Sequence, residues 1–224
     1  MKKLVIFGNG QIAEIFTYYF KIDSEYEIVA YCVDDEYCKK KYFNKKPLIP
    51  LSKVKKKYSP KYFKFFVALS YSENNSKRKK KYNQLKKMGY KFANFISSRS
   101  NFVSDIKHGE NIALLENLSV QPFVKIENNV FIWSGSVIGH HSLIKSHSWV
   151  TSGSNIGGNV IIGERSFLGL NSTVGHMVNV GQNCFIGANT LLTKNLQDNS
   201  VCIINDTKKF KLNTKNFYRL SEFK

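Results

Sequence analysis

Two periodicities divide this chain. Over the first hundred residues, short apolar runs alternate with helically spaced ones. "KLVIF" (3–7) predicts a buried strand, and "QIAEIFTYYFK" (11–21) predicts a helix from the spacing of its apolar residues. "YEIVAYCV" (26–33), "FKFFVALS" (63–70) and "KFANFI" (91–96) predict further strands. "KRKKKYNQLKKMG" (77–89) predicts a basic helix closed by Gly89. Strands alternating with helices imply a parallel sheet with right-handed crossovers.

From Ile106 the period becomes six. Fifteen hexapeptides run to Asn195 without an insertion, IKHGEN IALLEN LSVQPF and onward to CFIGAN TLLTKN. The third position is Leu, Ile or Val in fourteen of them, His108 being the exception. The first position is Ser, Thr, Val or Cys in each of the last twelve. This period signals a parallel β-helix whose three faces make one eighteen-residue triangular coil. The third residue fills the interior, the first lies inside near a corner, and Gly and Asn take the turns. The expected organisation is an α/β Rossmann-like domain (1–98), an all-β helix (99–195) and a tail (196–224) that has lost the period.

The α/β half carries a candidate binding loop. "GNGQIA" fits G-x-G-x-x-[GA] through Gly8, Gly10 and Ala13, and sits between the first strand and the first helix. Such glycines allow a tight turn and close backbone approach, while the helix N-terminus offers amides to an anion. The plainer reading is that they only pack the turn. Asp34 and Asp35 end the second strand, where an acid would hold a ribose hydroxyl. About four strands precede the change of period, half a dinucleotide-binding unit, so a mononucleotide or nucleotide sugar fits better than NAD.

The β-helical half holds three of the five histidines within "SVIGHHSLIKSH" (136–147). His140, Gly158 and His176 share one corner column at eighteen-residue spacing. Two coil spacings place the histidines roughly 10 Å apart, too far to share a metal. Gly158 leaves a surface notch whose N–H could receive an oxyanion, and His140 has the chemistry of a proton acceptor. A solvated corner histidine is the competing reading.

Composition changes this picture little. The 34 Lys and Arg outnumber 16 Asp and Glu, giving +18, mostly from lysine runs at 38–46, 53–61 and 77–87. Solvated faces account for such runs, with attraction to substrate phosphates as the alternative, and no nucleic-acid-binding motif accompanies them. Cys32, Cys38, Cys184 and Cys202 show no metal or disulfide spacing, which points to the cytoplasm. The longest apolar run, "FKFFVAL", is too short to cross a membrane. The opening strand runs into a glycine turn, unlike a signal peptide.

Taken together, "VIFGNGQIA", the strand end "VDD" and "SVIGHHSLI…SGSNIGGNVIIGERSFLGLNSTV" resemble the bacterial sugar acyltransferases. These comprise the sialic-acid O-acetyltransferase type and the nucleotide-aminosugar N-acetyltransferases. The resemblance implies that the β-helix is left-handed, that the protein is a homotrimer, and that acetyl-CoA binds between subunits without a metal. It implies His140 as general base, His141 as its tuning neighbour and the Gly158 amide as oxyanion donor. It places CoA contacts at Gly158, Leu170, His176 and Ala188, and nucleotide-sugar contacts at Gly8, Gly10, Asp34, Asp35 and Arg78. N-acetylation of a nucleotide-linked aminodeoxysugar is the expected reaction. O-acetylation of a sialic acid and a non-catalytic sugar-nucleotide-binding role are its alternatives. The chain departs from the family where His141 replaces a common acidic residue and Ile12 a common histidine. It also lacks the usual "G-x-P-A" ending.

Overall fold

The computed structural model describes residues 1–102 and 106–221. The first domain comprises β1 (Lys2–Phe7), α1 (Gln11–Ile22), β2 (Tyr26–Val33), β3 (Tyr42–Phe43), β4 (Lys46–Pro50), α2 (Leu51–Lys57), β5 (Lys64–Val67) and α3 (Ser76–Lys87). Its sheet runs β3-β4-β2-β1-β5, parallel except for the β3–β4 hairpin. Alternation along β1 sends Leu4 and Ile6 to one face and Val5 and Phe7 to the other. The first face receives Ala13, Phe16 and Phe20 of α1, and the second receives Leu51 and Val54 of α2 with Tyr82 and Leu85 of α3.

Two elements differ from the sequence reading. The hairpin begins within the lysine run 38–46 and continues through β4, turned by Asn44 and Lys45 in left-handed conformation. The segment 91–96 is not one strand of the first sheet. Phe92 bridges Phe65 of β5, whereas Phe95–Ile96 pairs with Ala113–Leu114 of the β-helix. A short apolar run does not say which of two sheets it will join.

The second half is a left-handed parallel β-helix of three sheets. Two-residue strands stack on strands eighteen residues away, as in Val137↔Asn155 and Ile138↔Ile156. Every sixth residue from Asn111 to Asn189 has positive φ, so each hexapeptide turns one corner at its last position. Glycine and asparagine tolerate this conformation, and Phe123, His141, His147, Arg165 and Met177 adopt it as well. Third-position residues such as Ile138, Ile144, Val150 and Ile156 form the interior. First-position serines are buried and cap carbonyls of the next coil, Ser142 Oγ–H donating to Gly157 O at 2.9 Å. Helix-type pairing extends from Phe95–Ile96 to Val201–Cys202.

An aromatic column joins the halves. Phe131, Trp149, Phe167 and Phe185 point outward from one face at eighteen-residue intervals, and the first domain covers them. Phe66 of β5 stacks on Phe131 with ring centroids 5.5 Å apart, and Phe16 of α1 meets the same ring at 5.2 Å. Replacing Phe131 with Ala is expected to lower the unfolding free energy by ~3–5 kcal/mol, because the site is fully buried between two rigid layers. Denaturant unfolding of the purified variant checks this.

Candidate active site

The corner after strand Val137–Ile138 carries Gly139, His140 and His141 before the chain re-enters at Leu143–Ile144. Both imidazoles are exposed. The His140 N–H is fixed by Gln121 Oε1 at 2.9 Å and its carbonyl by the Asn159 N–H at 2.8 Å. A Cβ on Gly158 would lie 2.6 Å from His140 Nε2, so the imidazole itself overhangs that glycine. The expected notch is therefore roofed by the ring. The Gly158 N–H has no acceptor among the described residues.

The absence of a side chain at Gly158 also lets the flanking histidines lean together. The rings of His140 and His176 lie 5.9 Å apart between centroids, closer than the two-coil estimate, which counted backbone spacing alone. His141 packs on Phe123 at 4.6 Å, and its Nδ1 stands 3.1 Å from Nδ1 of His140. Among the described residues, no group of three or more His, Cys, Asp or Glu is placed to hold a metal.

In the first domain, a cavity of about 740 Å³ opens at the carboxyl ends of β1 and β2. Gly8, Asp34, Asp35, Lys77, Lys80 and Lys81 line it. Ligands of open α/β sheets bind at this end. Gly8 has φ +129, and a Cβ there would meet Ala68 O at 2.7 Å, so the loop needs this glycine. Gly10 caps α1 without a side-chain bond, leaving first-turn amides facing outward. Asp34 is paired with Lys81. Asp35 accepts the Ser52 N–H at 3.0 Å at the start of α2, and Ser52, through its hydroxyl and then its N–H, holds the carboxyl below the usual range.

Arg78 is the clear correction. It is fully buried and cannot reach a phosphate. Its guanidinium donates to Asn129 O, to Asn129 Oδ1 at 3.0 Å, to Asn75 Oδ1 at 2.7 Å, and to the carbonyls of His147 and Ser148 at 2.9 and 3.3 Å. It lies 4.4 Å from the Phe131 ring centroid and 5.3 Å from that of Trp149. Burial pulls its pKa down to about 9, so it stays charged at neutral pH. On a lysine-rich helix nothing in sequence marks one cation as buried. Lys77, Lys80 and Lys81, read only as part of a charge run, are the cations that line the cavity, Lys81 paired with Asp34 and Lys77 with Glu73.

His147, which sequence left without a role, is also buried, against the expectation of an outward corner. Asn129 Nδ2–H donates to its Nδ1 at 2.8 Å, and Tyr82 of α3 covers the ring. Desolvation, with Arg78 nearby, pushes its pKa down to about 3.

Leu170 and Ala188 lie together at a different corner, between the aromatic face and the sheet of Thr173–Val174 and Leu191–Leu192. They border a second cavity of about 420 Å³ with Ile12, Tyr71, Trp133 and Phe167. One chain thus groups His140, Gly158 and His176 at one corner, and Leu170 with Ala188 at another. The first domain covers the face across from the His140 corner.

Comparison with known proteins agrees with this architecture. A family model described as the PglD N-terminal domain matches residues 3–85, and one described as the hexapeptide repeat of succinyl-transferase matches residues 159–194. The two halves of the chain are thus similar to two different family models, in the same order along the sequence. No curated protein matches it. The acetyltransferase domain of PglB from Neisseria gonorrhoeae superposes on this chain with TM-score 0.75 at 18% identity, covering 90% of this chain and 96% of that one. PerB from Caulobacter crescentus, solved with CoA and GDP-perosamine, gives 0.77 at 20% identity over 89% and 92%. At such identities the superpositions establish the shared fold.

The His147 geometry has a consequence for stability. The unfolded chain takes up a proton near pH 6.5, whereas the folded chain does so only near pH 3. Between these values the unfolded state binds more protons, so stability is full above pH 6.5 and falls as pH drops towards 3. The slope from this group approaches ~1.4 kcal/mol per pH unit. In His147→Asn, which matches Asn129 and Asn183 in the same column, urea unfolding at pH 7 and pH 5 is expected to lose this part of the slope.

Proposed function

We infer that this acyltransferase moves an acetyl group from acetyl-CoA to the amine of a nucleotide-linked aminodeoxysugar. The observation that carries the reading is His140 Nε2 poised above Gly158, whose N–H has no acceptor among the described residues. Acetyl-CoA supplies the acyl group as an activated thioester. Nε2 of His140 takes the proton from the attacking amine. The Gly158 N–H donates to the carbonyl oxygen as it gains charge. The exposed Leu170–Ala188 corner suits the pantetheine arm, and His176 flanks the reacting groups.

The cavity at Gly8 and Asp34, next to the Gly10 turn, suits the nucleotide, with Lys77 and Lys80 in place of Arg78 for the phosphates. Asp35, already bonded at α2, serves the cavity wall. PerB offers a precedent, since it was solved with CoA and a nucleotide sugar, GDP-perosamine. The first domain sits across the prism from its own His140, which favours a homotrimer in which one copy's sugar site faces a neighbour's histidine. Four unpaired cysteines suit a cytoplasmic setting.

Thiol release from acetyl-CoA, measured across nucleotide aminosugars and free or nucleotide-linked hydroxyl acceptors, tests the acceptor. Turnover of hydroxyl acceptors alone would replace the amine assignment. His140→Ala is expected to lower kcat by ~10²–10⁴-fold while acetyl-CoA still binds by calorimetry. Near-normal turnover in that variant removes His140 as the base. Gly158→Ala should fall at least ~10-fold, since its methyl would displace the imidazole. An unchanged rate would show that the overhanging geometry is not the reactive one.

A further inference from the structure

Beyond Val201–Cys202, the last strand of the β-helix, the chain changes character. Residues 205–221 carry five basic side chains, Lys208, Lys209, Lys211, Lys215 and Arg219, against the single acid Asp206. Within them lies a last helix, α4 (Thr214–Ser221). Lys215 and Arg219, four residues apart, share one side of it, and Phe217 and Leu220, three apart, share the other. Asn213 caps the start, its Oδ1 accepting the Asn216 N–H at 3.0 Å. Phe210 folds back onto Phe217 with ring centroids 5.7 Å apart, which widens the apolar side.

Neither domain covers that side. Phe210, Phe217 and Leu220 are 64%, 46% and 77% exposed. An isolated helix of eight residues is marginal in water, so α4 needs a surface against its apolar side to persist. A second copy of this chain suits it poorly, because the whole chain carries the same sign as the tail, +18 overall. The fitting surface is apolar beneath and anionic around the helix. Acidic phospholipid headgroups over acyl chains have that build: phenylalanine and leucine enter the headgroup boundary while lysine and arginine stay among the phosphates. No helix of the described residues is long and apolar enough to cross a bilayer, so the contact stays superficial.

We propose that α4, with the basic segment 205–213 before it, is a reversible peripheral anchor to an anionic bilayer surface. This role is independent of the acyl-transfer reading. Binding is weak and sensitive to salt. Each basic residue close to an anionic surface contributes about 5-fold to partitioning, and that attraction is screened beyond ~8 Å at physiological ionic strength.

Cosedimentation of the full chain with vesicles of phosphatidylglycerol and phosphatidylcholine, set against phosphatidylcholine alone, tests the anchor. The full chain is expected to favour the mixed vesicles at least ~10-fold and to lose that preference at high salt. Lys215→Gln combined with Arg219→Gln should weaken binding about 25-fold. Phe217→Ser combined with Leu220→Ser keeps every charge and should still weaken it at least ~10-fold. These positions lie outside both cores, so the variants are expected to keep the unfolding midpoint of the parent chain. Backbone amides of 214–221 should exchange with solvent at least ~10-fold more slowly once mixed vesicles are added.

The lysine runs of the first domain also attract anions, so the tail variants decide the matter. Equal vesicle binding after removal of the chain from residue 205 onward overturns the proposal. Undiminished binding in the Phe217–Leu220 variant assigns the attraction to charge alone and overturns it too, as does exchange at 214–221 that ignores the vesicles. If the full chain does not bind vesicles, and removal of the tail lowers its oligomeric mass, the tail serves a second copy and the anchor is rejected.

Discussion

The left-handed corner at every sixth residue is the constraint on which the rest of this structure depends. It fixes eighteen residues per coil, and that number aligns every column: interior aliphatics, capping serines, outward aromatics and the corner that bears His140. An added or lost residue would rotate each later side chain onto another face. Corner conformations disfavoured by ordinary side chains persist here because successive coils bond across them, as His141 N–H does to Pro122 O and Asn159 N–H to His140 O. Local strain is held by repetition.

The same register builds the junction between the domains. Aromatics spaced by one coil make a continuous apolar strip, and the α/β sheet lays Phe16, Phe66 and Phe95 against it. Polar groups then set the alignment. Arg78 gathers carbonyls from two coils, and α3 pairs Lys79 with Glu164 and Lys86 with Glu110 along one corner. A buried guanidinium without a carboxylate is tenable because carbonyl oxygens and ring faces replace its water. Part of the basic composition thus serves docking, and it holds α3 so that Lys77 and Lys80 face the cavity.

At the His140 corner, the geometry follows from an omission. Gly158 carries no side chain, so two imidazoles from coils above and below converge over its backbone. Its amide has no acceptor among the described residues, while neighbouring amides bond within the coil. The α/β domain lies across the prism from this corner, so within one chain the Gly8 cavity and His140 are kept on opposite sides.

Both periods, the Gly8–Gly10 loop and the column of His140, Gly158 and His176 were legible in the sequence, because each rests on spacing along the chain. Local repetition and turn chemistry need no distant partner to be read. The hairpin at 42–50 was hidden by lysines, and 91–96 was ambiguous because a short apolar run suits either sheet. The burial of Arg78 and His147, the convergence of His140 on His176, and the Nδ1–Nδ1 contact with His141 were decided only by tertiary structure. Desolvation and ring placement depend on which surfaces meet, and residues fifty or more positions apart, such as Arg78 and Asn129, meet only after the domains dock.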